Sequence, residues 1–487
     1  MKKDELKRKT VSGFFWRICE RIAAQAISFV VTVVLARILT PEDYAPITLL
    51  TVFILIANLF VSDGFSAALI QKRDITALDY SSVLLAGLGI SAVLYAVLFA
   101  AAPLIAAFYH MPVLIATLRV LALRLPLGAV NSVELAYLSR NMRFRSFFWG
   151  TFFGTAISAP VGIACALRGL GAWALVAQNL TNYTFDTLIL ALIIHKIPAP
   201  RFSMERVKPL IRFGYKILLT DLFFTLSDQL RTLIIGKRFA PSDLSYYSKG
   251  HQLPQLLSGS VTSPMASVLF PAMSAVNDEP ERVKQVFRRS VQILSYAISP
   301  LMLGLAAVSE RAVRLLLTEK WMSAVPFVWI FCVYHLFPPV HSINVEAVKS
   351  IGRSDEIFFY GILKRLAGLA CLLAAAWFDA YAIAYSTVAS AVLCSFVNAH
   401  QNQRLFGYGY REQLTDWLPN IALSAAMCAV TYAVGRVLPG GDLPVILCQT
   451  AAGIVSYAAL SVLTRNPSFY YILEYALKRR GGTSQTS

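Results

Sequence analysis

Charged side chains recur inside long apolar runs of this chain, and their spacing groups them on helix faces. Arg17, Glu20 and Arg21 stand at i, i+3 and i+4, which share one face of a helix. Asp221 and Asp228 are seven apart and almost in register, with Arg231 three further on. Together they make a polar stripe about 15 Å long. Arg119, Arg124, Asn131 and Glu134 share another apolar run, with Arg124 and Asn131 on one face and Arg119 pointing away. Lys364 and Arg365 interrupt a later run, and Asp63 and Asp186 are isolated acids. A charge at the centre of a bilayer costs roughly 2.5–3.5 kcal/mol on insertion scales, so it turns toward protein or water.

The chemistry open to this set is electrostatic. Arg and Lys in a low-dielectric cavity suit phosphates, through paired charge-assisted hydrogen bonds. A cation-driven carrier would lean instead on carboxylates such as Asp221 or Asp228. The structural alternatives are snorkelling of Arg17 and Arg21 with Glu20 as partner, and a local Asp228–Arg231 pair. The residues expected to line a substrate cavity are Arg17, Glu20, Arg21, Arg124, Asp221, Asp228, Arg231, Lys364 and Arg365.

Elements that hold charges in apolar surroundings must be membrane spans. The chain has 487 residues, 57% hydrophobic and only 15% charged, with a mean hydropathy of +0.60. A soluble domain carries roughly 25% charged residues. A crossing needs about 20 helical residues, and the runs lack the alternation of β-barrel strands. Fourteen spans are expected, near 13–38, 44–70, 80–102, 113–137, 146–167, 172–194, 211–235, 252–273, 290–308, 324–348, 357–377, 381–399, 418–436 and 444–463. Pro126 should kink the fourth and free a backbone carbonyl.

Charge sets the orientation. Lys and Arg on the N-terminal side of the membrane outnumber those on the other side 27 to 9, so both termini are expected in the cytoplasm. The net charge of +17 then reflects topology and anionic lipid heads, and nucleic acid is not expected as a partner. The basic N-terminus is followed by too long an apolar segment, with Arg17, Glu20 and Arg21 in it, for a cleavable signal. The stretches 201–212 and 281–289 mix basic and apolar residues as interfacial helices do. The seven cysteines are scattered and the six histidines share no helical face. No metal, cofactor or catalytic residue is expected, and no GxxxxGK[ST] loop occurs. Without a loop longer than about 18 residues, no extramembrane enzyme domain fits.

Basic residue, apolar residue, Pro and Asp recur at matching places in Arg37–Asp43 and Lys237–Asp243, an offset of 200. A repeat would give an N-terminal lobe over 13–196 and a C-terminal lobe over 197–400. Beside them stand a basic N-terminus (1–12), an added pair of spans (401–463) and a cytoplasmic tail (464–487).

Three stretches carry a family likeness. Ala36–Tyr44 (ARILTPEDY), Asp63–Lys72 (DGFSAALIQK) and Leu269–Ser274 (LFPAMS) resemble the signatures of Wzx-type polysaccharide flippases, nearest the colanic and teichuronic acid exporters. The likeness covers about residues 10–400. It implies the multidrug/oligosaccharidyl-lipid/polysaccharide exporter fold, two six-helix lobes in a V, here with two extra helices. It further implies a transporter of the bacterial inner membrane, not an enzyme, that flips an oligosaccharide on undecaprenyl pyrophosphate. Membrane lipids and a polymerase and glycosyltransferases of the same pathway are the partners it suggests. The rivals are a cation-coupled drug or metabolite antiporter of the same superfamily and a membrane glycan polymerase or ligase.

Overall fold

The computed structural model describes residues 25–72, 74–141, 143–194, 201–277 and 279–481, and every regular element among them is helical. The helices are α1 (Gln25–Ile38), α2 (Pro41–Gln71), α3 (Ala77–Tyr109), α4 (Val113–Leu121), α5 (Arg124–Arg140), α6 (Phe144–Leu167), α7 (Ala172–Ile194) and α8 (Met204–Arg238). There follow α9 (Pro241–Ser274), α10 (Pro280–Leu317), α11 (Val325–Tyr334), α12 (Pro338–Ser350), α13 (Ser354–Ala375) and α14 (Ala380–Phe406). The last three are α15 (Tyr410–Val437), α16 (Asp442–Leu463) and α17 (Pro467–Gly481).

This is a polytopic α-helical membrane protein. Ten helical segments among the described residues are long and apolar enough to cross a bilayer. The other four expected spans also fall on helices. Of these, α7, α8 and α9 carry more polar residues, and α1 is described over a shorter length.

The chain divides into two compact units, Met1–Ser245 and Tyr246–Ser487. The first runs past residue 196, where the sequence places the end of the N-terminal lobe, and takes in α8. In it α2 packs on α5 and α8, α3 on α4 and α5, and α6 on α7. The second is organised on α10, whose Val283, Phe287, Val291, Leu294, Ile298 and Met302 form one buried stripe at helical spacing. The added helices α15 and α16 both pack on α10. The 201–212 and 281–289 stretches are leading turns of α8 and α10, continuous with the spans. Val207, Leu210, Val283 and Phe287 turn inward from them.

Prolines explain where spans break and where they do not. A proline lacks the amide that would bond the carbonyl four residues back, and its ring crowds that carbonyl. Ahead of Pro126 the span divides into α4 and α5, and the Ala122 carbonyl takes the Leu125 amide instead, at 2.9 Å. The same happens ahead of Pro338, where Tyr334 O takes the Phe337 amide at 3.1 Å. That second break, between α11 and α12, lies inside a span drawn as continuous from the sequence. Pro300 and Pro103 leave their helices whole because side chains meet the freed carbonyls. Tyr457 Oη of α16 donates to Tyr296 O at 2.8 Å. Arg119 Nε donates to Phe99 O at 3.3 Å, with its guanidinium over the Phe99 ring.

The repeat has structural counterparts. Leu39 N bonds Leu35 O at the end of α1, and Phe239 N bonds Ile235 O at the end of α8. Asp43 N bonds Thr40 O, and Asp243 N bonds Ala240 O. A second correspondence was missed in the sequence: Phe147-Phe148-Trp149-Gly150 near the start of α6 and Phe358-Phe359-Tyr360-Gly361 near the start of α13. In each half the fourth span is the broken one.

Alternate connectors gather at one end of each unit. In the first, Lys72 and Arg206 approach Asp79 at 2.6 and 3.9 Å, and the Arg201 amide bonds Ser81 Oγ. In the second, Lys284 pairs with Glu412, Arg288 with Asp416, and Arg353 and Arg404 with Glu356.

Candidate functional site

Of the nine cavity candidates, Arg17, Glu20 and Arg21 lie outside the described residues. Arg124 opens α5 directly after the break, so the proline geometry that ends α4 also sets its position. Its guanidinium carbon lies 3.4 Å from the centroid of the Tyr183 ring on α7. Its Nε is buried without a hydrogen-bond partner, and no carboxylate among the described residues pairs with it. A stacked guanidinium keeps its in-plane donors open, the geometry that suits a phosphate oxygen.

Below Arg124 the face of α5 continues as a polar seam. Asn131 Nδ2 donates to Asp186 Oδ2 of α7 at 3.1 Å. Gly128 lets Asn58 of α2 come close, for a Cβ there would stand 2.6 Å from Asn58 Oδ1. Gly150 and Gly154, four apart on α6, do the same for α7: Cβ atoms there would meet Asp186 Oδ1 at 2.8 Å and the Asn182 carbonyl at 3.0 Å. Small residues at this spacing let membrane helices approach closely. Asn182 Nδ2 completes the seam on Thr155 Oγ1 at 3.2 Å. Tyr183, Asn58 and Asn182 were not singled out in the sequence; the Gly-x-x-x-Gly of α6 was the signal available for this packing.

Asp221, Asp228 and Arg231 do lie along one continuous helix, α8. Asp228 is exposed, while Asp221 and Arg231 are half-buried. α8 packs on α2 and α3, and both of these also pack on α5, which carries Arg124. In the second unit Lys364 of α13 donates to Asn398 Oδ1 of α14 at 2.9 Å, and Arg365 beside it is half-buried. His341 Nε2 of α12 meets Ser395 Oγ at 2.9 Å, and Asn402 of α14 donates to Asn344 of α12. The helices that carry an acid in the first unit are thus joined by amides in the second. No group of three His, Cys, Asp or Glu placed to hold a metal occurs among the described residues.

The family described as "Polysaccharide biosynthesis protein" matches residues 34–326. The chain is 24% identical over 479 residues to the succinoglycan biosynthesis transport protein ExoT of Rhizobium meliloti (strain 1021), covering 96% of this chain and 95% of that one. It is 24% identical over 476 residues to the lipopolysaccharide biosynthesis protein WzxC of Escherichia coli (strain K12), covering 95% of each. The lipid II flippase MurJ in its inward closed conformation superposes with a TM-score of 0.75 at 14% identity, over 93% of this chain and 99% of that one. At that identity the likeness establishes a shared fold.

Proposed function

Because the chain belongs to the polysaccharide biosynthesis protein family, we propose that it is a flippase of the bacterial inner membrane for oligosaccharide repeat units carried on undecaprenyl pyrophosphate. On this reading it moves them from the inner to the outer leaflet by alternating access and is a transporter, not an enzyme. The observation that carries the reading is near full-length similarity to relatives named for the transport or biosynthesis of surface polysaccharides. Arg124 supports it chemically. A guanidinium with no carboxylate partner among the described residues, shelved on an aromatic ring inside a membrane bundle, is costly unless an anion uses it.

The halves 13–196 and 197–400 are the two lobes on this reading, with 401–463 added and both termini cytoplasmic. The matched helix junctions and the gathering of basic connectors at one end of each unit support that arrangement. Within the first unit the pyrophosphate would meet Arg124 and Arg231, with Asp221 and Asp228 lining the wet path of the sugars; Lys364 and Arg365 are the candidates of the second unit. Arg17, Glu20 and Arg21 are proposed to join them. A polymerase and glycosyltransferases of the pathway would deliver and consume the substrate. The test is a leaflet-accessibility assay for a lipid-linked oligosaccharide in proteoliposomes. Transbilayer movement that needs the protein supports the reading, and its absence with folded protein overturns it.

A further inference from the structure

The last helix is tied to the second unit at its start and left open along its length. After α16 the chain turns at Arg465, whose φ is 49°. Asn466 then caps α17: its Oδ1 accepts from the Ser468 amide at 2.9 Å and the Phe469 amide at 3.4 Å. Its Nδ2 donates to Asn420 Oδ1 of α15 at 2.9 Å. Pro467 opens the helix, where its missing amide costs nothing. The start of α17 is thereby fixed against a membrane span.

Phe469, Ile472, Leu473 and Ala476 stand at i, i+3, i+4 and i+7, one apolar face of α17. Ile472 and Leu473 are each 41% exposed. The other face carries Tyr471, with Lys478 seven residues on; Arg479 and Arg480 follow, and Glu474 is the one acid of the helix. A helix with an apolar face and basic residues, set where the span α16 ends, suits the plane of a bilayer surface.

α10 adds a placed cation. Of the basic residues in its leading turns, Arg282, Lys284 and Arg288 pair with Glu279, Glu412 and Asp416. Arg289 is exposed and pairs with no carboxylate among the described residues. Its guanidinium carbon lies 3.6 Å from the centroid of the Tyr471 ring. A guanidinium shelved on a ring keeps its in-plane donors for a phosphate oxygen.

We propose that Arg289 and α17 form a docking site for an anionic phospholipid: Arg289, held on Tyr471, meets the head-group phosphate, and the Ile472–Leu473 face lies in the bilayer surface. Charge decides the occupant. Arg289, Lys478, Arg479 and Arg480 against the single acid Glu474 match the anionic head groups of a membrane. The site stands apart from the flippase reading.

Hydrogen exchange of the full chain in lipid nanodiscs tests this, with phosphatidylcholine discs compared with discs that also contain phosphatidylglycerol. The amides of α17 are expected to exchange several-fold more slowly in the anionic discs. Arg289→Gln should remove most of that difference while α2 and α6 keep their protection. Equal exchange in the two lipids overturns the proposal. So does inorganic phosphate that reproduces the slowing in phosphatidylcholine discs, because a free anion would then suffice. Slowing that appears only once a membrane extract supplies other proteins overturns it as well. Should Arg289→Gln fail to fold, the variant with Lys478→Gln, Arg479→Gln and Arg480→Gln must shrink the same difference, and a difference left intact is equally contrary. Failure of the flippase reading would leave these outcomes unchanged, so the two ideas fail separately.

Discussion

The guanidinium carbon of Arg124 lies over the Tyr183 ring, 3.4 Å from its centroid, so that a helix broken by one proline and a neighbouring helix together present a cation inside the bilayer. A charge-assisted hydrogen bond is worth roughly 1.5–3 kcal/mol. Arg124→Ala is therefore expected to slow flipping by roughly 10- to 100-fold at unchanged protein level. Arg124→Lys should do nearly as much damage, because an ammonium neither stacks nor presents a planar fork. Flipping rates in proteoliposomes check both, and a fully active Lys variant would remove the role of stacking.

Pro300 and Tyr457 should behave as a coupled pair. Tyr457→Phe leaves the Tyr296 carbonyl without its donor, an expected loss of about 1–3 kcal/mol. In a Pro300→Ala background the helix regains its own amide, and the same change should cost under about 0.5 kcal/mol. A double-mutant cycle on detergent unfolding measures the difference. Additive losses would contradict the account.

The α6–α7 contact depends on absent side chains. Gly154→Val sets a Cβ 3.0 Å from the Asn182 carbonyl, and overpacking of this kind costs about 1–3 kcal/mol. Gly89 on α3 has nothing within 4 Å of a built Cβ, so Gly89→Ala should be neutral or stabilise by about 0.5–1 kcal/mol. Thermal unfolding of the two variants should separate them in opposite directions.

Asp416 accepts from Arg288 at 2.8 and 2.9 Å, from Gln292 at 2.7 Å and from Tyr408 at 2.9 Å. Asp416→Ala strands three donors where α15 meets α10, and should cost about 1–3 kcal/mol. Hydrogen exchange in the first turns of α15 should rise several-fold while α2 and α6 stay protected. Uniform protection would show that the added pair does not depend on this acid.

Composition and run length made the helical spans readable, because no other backbone arrangement satisfies its own polar groups across a bilayer. Pro126 was readable as a kink, while Pro338 and Pro339 stand in a stretch drawn as one continuous span. Pro300 reads as a weakness in one dimension; its rescue by Tyr457 comes from a helix more than 150 residues away. Arg119, visible only as a stray charge, proves to satisfy the carbonyl freed by Pro103. Arg124 was legible as a charge on the right face, but its aromatic shelf was not, because Tyr183 belongs to a different span. Local spacing places residues on a face, and only the fold decides which face meets it.

The central claim is transbilayer movement of a lipid-linked sugar, and the measurement nearest to it is leaflet accessibility in proteoliposomes holding the purified chain. The account predicts that a labelled undecaprenyl-pyrophosphate oligosaccharide loaded in one leaflet becomes accessible in the other, and that Arg124→Ala slows this by roughly 10-fold or more. Equal accessibility in vesicles with and without folded protein would contradict it.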